Sequence, residues 1–82
     1  MERISREDCV QFYKVEVTFF DNLAEAGLIE TITEDNSVYL SYERLDHFEK
    51  LVNWHYDLEI NIPGLEVICR LLEEIETLKQ SR

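Results

Sequence analysis

The 82-residue sequence predicts one mainly α-helical domain of about four helices with one short β-hairpin. Apolar residues recur at helical spacing in four segments, and polar cap or break residues separate those segments. One stretch instead carries β-branched and aromatic residues on either side of a polar turn. With 45% hydrophobic residues, two Gly and one Pro, the composition is that of a folded chain. Its length suits a single domain spanning residues 1–82.

The first third of the chain contains two short predicted helices. Ser5 is a suitable N-cap for a helix that continues to about Tyr13. After a break, Thr18 is expected to cap a second helix, which Gly27 ends as a C-terminal glycine. The apolar residues that share one face of this second helix are Phe19, Leu23 and Ala26.

A β-hairpin is predicted next, from residues 28–33, a polar turn at 34–37 and residues 38–40. Ser41 can then cap a third helix over about residues 42–58. The apolar arc of this helix consists of Leu45, Phe48, Leu51, Val52, Trp54, Tyr56 and Leu58.

A fourth helix is predicted from Pro63 to about Leu78, since Pro is favoured in the first turn of a helix. Its apolar residues cover about 200° of the helical wheel, which is wider than packing against one core requires. These residues are Leu65, Val67, Ile68, Cys69, Leu71, Leu72, Ile75 and Leu78. We therefore expect a homodimer through this helix, with Leu65, Leu72 and Ile75 supplying the excess apolar surface.

The net charge of −10 comes from 18 acidic and 8 basic side chains, and it favours a basic partner over nucleic acid or an anionic membrane. No apolar run approaches the roughly 20 residues of a membrane span, and the N-terminal residues lack the apolar segment of a signal peptide. A cytoplasmic location is expected. Cys9 and Cys69 stand among apolar helix positions, which predicts buried, reduced thiols.

The two histidines are the obvious candidates for catalysis or metal binding in this sequence. His47 and His55 lie on or beside the apolar arc of the third predicted helix, eight residues apart and without a nearby Cys. Metal ligands normally come in clusters of three or four, so we interpret both histidines as amphipathic packing residues rather than as ligands or acid–base groups. We expect no enzymatic activity, no cofactor and no metal site.

The order of these elements is that of a winged helix-turn-helix, whose second helix would enter a DNA major groove. The charges of this part of the chain argue against DNA binding. From Val15 to Glu43 there is no Lys or Arg, but there are seven acids: Glu16, Asp21, Glu25, Glu30, Glu34, Asp35 and Glu43. Each would repel the phosphates that a DNA-binding surface normally neutralises.

The sequence resembles the MerR-like chaperone modulators of the CbpM type. The resemblance lies in the segment Leu-Ala-Glu-Ala-Gly-Leu-Ile at 23–29, the Val-Tyr-Leu at 38–40, and above all residues 57–67 with their Pro-Gly break and the final Leu-Lys-Gln at 78–80. It implies a MerR-like winged helix-turn-helix fold. It also implies a non-catalytic modulator that binds the J-domain of a DnaJ-like or CbpA-like co-chaperone and inhibits its cooperation with Hsp70.

Three functional hypotheses are compatible with the sequence. The first is the J-domain-binding modulator, and the second is a MerR-type regulator that binds DNA. The third is a module whose acids form ordinary solvated surface and which binds some other protein. For the first, we infer partner-binding residues from charge and exposure: Asp21 and Glu25, one turn apart on the second helix, and Glu16 in the turn before it. These three are expected to project together.

Overall fold

The structure, a computed structural model, describes residues 2–80. Within them the chain forms four α-helices, one 3₁₀ turn and one three-stranded antiparallel sheet. In chain order these are β1 (Arg3–Ser5), α1 (Arg6–Tyr13), α2 (Val17–Glu25), β2 (Ile32–Glu34), β3 (Ser37–Ser41), the 3₁₀ turn (Tyr42–Arg44), α3 (Leu45–Tyr56) and α4 (Ile62–Gln80). The mainly α prediction with one hairpin is confirmed.

The helix-turn-helix of α1 and α2 follows the sequence closely, with one error at the second cap. Ser5 caps α1, since its Oγ accepts the Asp8 N–H at 3.1 Å. The prediction that Thr18 caps α2 is wrong. Glu16 holds the extended N-cap conformation and its carbonyl accepts the Phe19 N–H at 3.1 Å, so α2 begins at Val17.

The C-terminal end of α2 agrees with the prediction. Gly27 adopts a φ of +78°, the left-handed conformation that glycine reaches without strain, and directs the chain away from the helix.

The predicted hairpin is present as β2 and β3, joined by a tight turn at Asp35 and Asn36. Both residues have positive φ, as a two-residue hairpin turn of type I′ requires. The sheet order is β1-β3-β2, with Ile4 opposite Leu40 on one side of β3. β1 was not predicted, because three residues are too short to display an alternating pattern.

The third helix is interrupted and shorter than predicted. Ser41 Oγ accepts the Glu43 N–H, but this caps only the 3₁₀ turn, and α3 starts at Leu45. It ends at Tyr56 rather than near Leu58, because the chain turns back and the Ile60 N–H donates to the Trp54 carbonyl at 3.1 Å.

The fourth helix begins one residue before Pro63, with its first turn packed tightly against the preceding connection. Asn61 Oδ1 accepts the Gly64 N–H at 2.8 Å, which satisfies one donor of that turn. A Cβ at Gly64 would lie 2.7 Å from Ile60 Cγ2 and 3.1 Å from Asn61 Oδ1. Glycine is thus required there for close approach rather than for an unusual φ.

One core joins the helices to the sheet, and Phe48 of α3 lies at its centre. The Phe48 ring is 5.3 Å from that of Tyr13 and 5.7 Å from that of Phe20, centroid to centroid, and neither pair is stacked. The buried residues around it are Cys9, Phe19, Phe20, Leu23, Ile29, Leu40, Leu51, Val52 and Leu65. Of the predicted α3 arc, Tyr56 and Leu58 lie outside this core and are exposed.

We predict that Phe48→Ala lowers the free energy of unfolding by about 3–5 kcal/mol, because it removes the ring that α1 and α2 share. Phe12→Ala is the matched control, since the Phe12 side chain is 73% exposed and should cost less than about 1 kcal/mol. Urea unfolding followed by circular dichroism measures both. Equal losses for the two variants would contradict the central placement of Phe48.

Candidate protein-binding surfaces

The three acids singled out from the sequence are all exposed, but they do not form one group. Asp21 and Glu25 lie one turn apart on α2 and share a face. Glu16 lies about 140° around the helix axis from Asp21 at 100° per residue. Its backbone N–H donates to the Tyr56 hydroxyl at 3.4 Å, so Glu16 is tied to the end of α3. The structure therefore brings Asp21 and Glu25 together and places Glu16 beside a different helix.

Asp21 is already engaged by a basic residue from α1. Arg6 Nη1 lies 3.1 Å from Asp21 Oδ1, and Arg6 Nη2 lies 2.9 Å from Glu7 Oε2. Hydrogen bonds to Glu7 and Asp21 raise the pKa of the Arg6 guanidinium. Arg6 precedes the segment from Val15 to Glu43 and reaches α2 only through the fold, so the lack of Lys and Arg in that segment did not predict this ion pair. Glu25 is thus the more available acid of the α2 pair.

The hairpin carries a second ion pair of the same kind. Arg3 on β1 reaches across β3 and donates to both carboxylate oxygens of Glu34 on β2, at 2.9 and 3.1 Å. Its guanidinium also lies 4.0 Å above the centre of the Tyr39 ring, a cation–π contact. The hydrogen bonds and the positive charge of Arg3 hold the pKa of the Glu34 carboxyl below its ordinary value. A third arginine, Arg44, pairs with Glu30 at 3.6 Å.

The two histidines hold chain connections in place. His47 Nε2 donates to the Leu28 carbonyl at 2.9 Å, which fixes the segment after α2, and His55 Nδ1 donates to the Ile60 carbonyl at 2.7 Å, which fixes the α3–α4 connection. The His55 ring stacks on Phe19 with centroids 4.5 Å apart. Among residues 2–80 no three His, Cys, Asp or Glu side chains come together as a metal site would require. These contacts give both histidines a structural role.

Both cysteines are unpaired, but they differ in accessibility. Cys9 is fully buried, and burial raises the pKa of its thiol to about 11. Cys69 is only partly buried, contrary to the prediction. Burial also raises the pKa of the Cys69 thiol, and the nearby Glu73 carboxylate adds to the rise. Cys69 is therefore the more accessible thiol.

The second half of α4 leaves the body of the domain. Leu65 is fully buried in the core, so it supplies none of the excess apolar surface expected of it. From Arg70 to Gln80 every side chain is exposed. Large apolar residues remain uncovered along α4: Val67, Leu71, Leu72, Ile75 and Leu78, between 43% and 68% exposed. Contiguous apolar surface of this kind usually marks an interaction site. Within residues 2–80, no helix combines the length and the apolar character needed to cross a membrane.

Comparison with known families identifies the scaffold. A family model described as MerR HTH family regulatory protein matches residues 4–81. No curated protein matches significantly, and neither does any solved structure. The match covers the helix-turn-helix of α1 and α2, the β2–β3 wing and the helices that follow them. The chain therefore belongs to the MerR family of helix-turn-helix regulatory proteins.

Proposed function

We propose that this chain is a non-catalytic modulator that binds the J-domain of a DnaJ-like or CbpA-like co-chaperone and inhibits its cooperation with Hsp70. Support for the co-chaperone as partner comes from the resemblance of residues 57–67 and 78–80 to the CbpM type. Support for a protein partner in place of DNA comes from the charge of the surface that a MerR protein would present to DNA.

That charge is the observation on which the proposal chiefly rests. The recognition helix α2 and the β2–β3 wing contribute acids and no Lys or Arg of their own. The arginines that the fold brings to this side are held by carboxylates: Arg3 by Glu34, Arg6 by Glu7 and Asp21, and Arg44 by Glu30. A phosphate would have to compete with those carboxylates, so few counterions would be released on binding DNA.

The same surface suits a basic protein partner. The resemblance implies a J-domain, which displays a basic helix toward Hsp70, and an acidic ligand that covers this helix would block that contact. On α2, Glu25 is the acid most available to such a helix, Asp21 would meet it in competition with Arg6, and Glu16 at the other end of α2 is a further candidate.

The alternative is a DNA-binding transcription regulator, which family membership itself favours. Lys14, in the turn between α1 and α2, is exposed and is the nearest basic residue in sequence to α2. One lysine is a small basic contribution beside the seven acids between Val15 and Glu43.

Our prediction for nucleic acid is that duplex DNA is bound weakly or not at all at low salt, where electrostatic attraction to phosphates would be strongest. A mobility-shift titration against a random-sequence duplex and genomic fragments measures this. Saturable, sequence-selective binding at submicromolar protein would contradict the J-domain proposal and favour the regulator.

For the J-domain we predict that Asp21→Lys with Glu25→Lys weakens binding without unfolding the domain, since both side chains are exposed and the Arg6–Asp21 ion pair that is lost is a surface pair that contributes little to stability. The association rate of the wild type should also fall steeply as the screening length shrinks from about 10 Å at 0.1 M salt to about 3 Å at 1 M. Calorimetry and stopped-flow kinetics against a J-domain fragment give the two readouts.

The matched control for this experiment is Asp46→Lys with Glu49→Lys on the exposed side of α3, which makes the same change in net charge. Equal affinities for the wild type and the α2 variant, with binding lost only in the α3 variant, would move the site to α3 around Asp46, Glu49 and Asp57. A wild-type chain that does not bind the J-domain would refute the proposed function.

We further propose that the chain forms a homodimer through the exposed apolar residues of α4. Ile75→Glu with Leu78→Glu should give a monomer by multi-angle light scattering, because both side chains are exposed and a buried charge is costly at an interface. Glu66→Gln is the control, because at 100° per residue Glu66 lies about 180° around α4 from Ile75 and about 120° from Leu78, and this variant should remain dimeric. A wild type that is monomeric at about 0.5 mM, far above the micromolar range of specific association, would contradict this prediction.

A further inference from the structure

A groove of about 420 Å³ lies between the segment that follows α2 and the middle of α4. Its apolar lining includes Leu28 and Ile29 from the segment after α2, and Cys69 and Leu72 from α4. Leu72 is 49% exposed, so the groove is open to solvent along one side. The volume lies within the range of about 300–1,000 Å³ that is usual for binding clefts.

The edges of the groove are acidic. Glu30 lies on one side, and Glu73 and Glu76 lie on the other, one turn apart along α4. Two basic side chains also line the groove: Arg44 forms a solvent-exposed ion pair with Glu30 at 3.6 Å, and His47 donates to the Leu28 carbonyl at 2.9 Å. Glu73 and Glu76 are exposed, and they face whatever enters the groove from the α4 side.

We propose that this groove binds a basic amphipathic helix of the protein partner, with an aliphatic side chain inserted between Leu28 and Leu72 and with lysines or arginines facing Glu73 and Glu76. Helices commonly dock in this way, with apolar anchors in a groove and charged residues at its edges. The assignment of that helix to a J-domain rests on the proposed function. The groove begins close to the end of α2, because Gly27, which lines it, lies two residues after Glu25.

A second copy of this chain fits the groove less well than a basic partner. Between Ile62 and Gln80 the helix that a second copy would offer carries four acids and two basic residues, so its approach would place carboxylates beside Glu73 and Glu76. The outer apolar residues Val67, Leu71 and Leu78 lie about 100–140° around α4 from Leu72. A dimer formed through that outer side, with Ile75 at its edge and Leu72 outside it, leaves the groove available.

The first test compares two charge-matched double variants of the full chain. Glu73→Gln with Glu76→Gln removes the acids at the groove, whereas Glu66→Gln with Glu74→Gln removes the same charge from α4 residues that do not line it. For J-domain binding measured by calorimetry, we expect about a three- to tenfold loss of affinity for the first variant and less than twofold for the second. Equal affinities of the two variants would overturn the groove as the site.

The second test uses Cys69 as a reporter inside the groove, because Cys9 is fully buried and should not react in the folded chain. We expect a saturating J-domain fragment to slow alkylation of Cys69 by iodoacetamide at least about fivefold. Unchanged alkylation together with normal J-domain affinity would overturn the groove and leave the proposed function standing. Faster alkylation on dilution to the monomer would show that a second copy covers the groove, which also overturns the proposal.

A wild type that fails to bind the J-domain would refute the proposed function without deciding the groove. The probe is then a synthetic Lys–Leu amphipathic helix, with a Glu–Leu helix of the same pattern as its control. Protection of Cys69 by the Lys–Leu peptide alone, reduced in the Glu73→Gln and Glu76→Gln variant, would support a site for basic helices. Protection by both peptides or by neither would overturn it.

Discussion

Phe48 is the side chain on which the arrangement of the helices depends. Its ring touches aromatic residues of α1 and α2, while neighbouring positions of α3 reach the core that the sheet and α4 share. So small a domain has only one set of buried residues with which to orient every element. That core contains a single fully buried residue of α4, Leu65, and it ends before the helix does. The exposed leucines of α4 therefore follow from a core too small to cover a helix of 19 residues.

The charged side chains of this domain interact mainly as short-range ion pairs at the surface. The bonds of Arg3 and Arg6 to carboxylates join segments that are far apart in sequence, β1 to β2 and α1 to α2. Exposed pairs of this kind add little to stability. We propose that their larger effect is on binding, because guanidinium groups that are paired with carboxylates are less available to phosphates. Excess negative charge remains over the rest of the surface.

Local chemistry made the ends of several elements predictable. The cap at Ser5, the end of α2 at Gly27 and the break at Pro63-Gly64 lie where the sequence predicted them, because caps and breaks depend mainly on neighbouring residues. The expected caps at Thr18 and Ser41 did not start α2 and α3. Features that depend on distant partners were missed. β1 exists because Ile4 pairs with Leu40, and Asp21 forms an ion pair with Arg6 from another helix. The groove beside Cys69 also could not be predicted from the sequence, since its two walls come from segments about 40 residues apart.

Gly64 belongs to residues 57–67, the most specific part of the sequence resemblance, and its role there is structural. A side chain there would collide with Ile60 and Asn61, so any larger residue would push the start of α4 away from the α3–α4 connection. The Pro63-Gly64 pair thus sets the angle at which α4 leaves the body of the domain. Chains that share this pair are expected to share that angle, whether their partner is DNA or a protein. Likeness at Pro63 and Gly64 alone therefore reflects domain geometry, and the resemblance to the CbpM type bears on the partner through the other residues of 57–67 and 78–80.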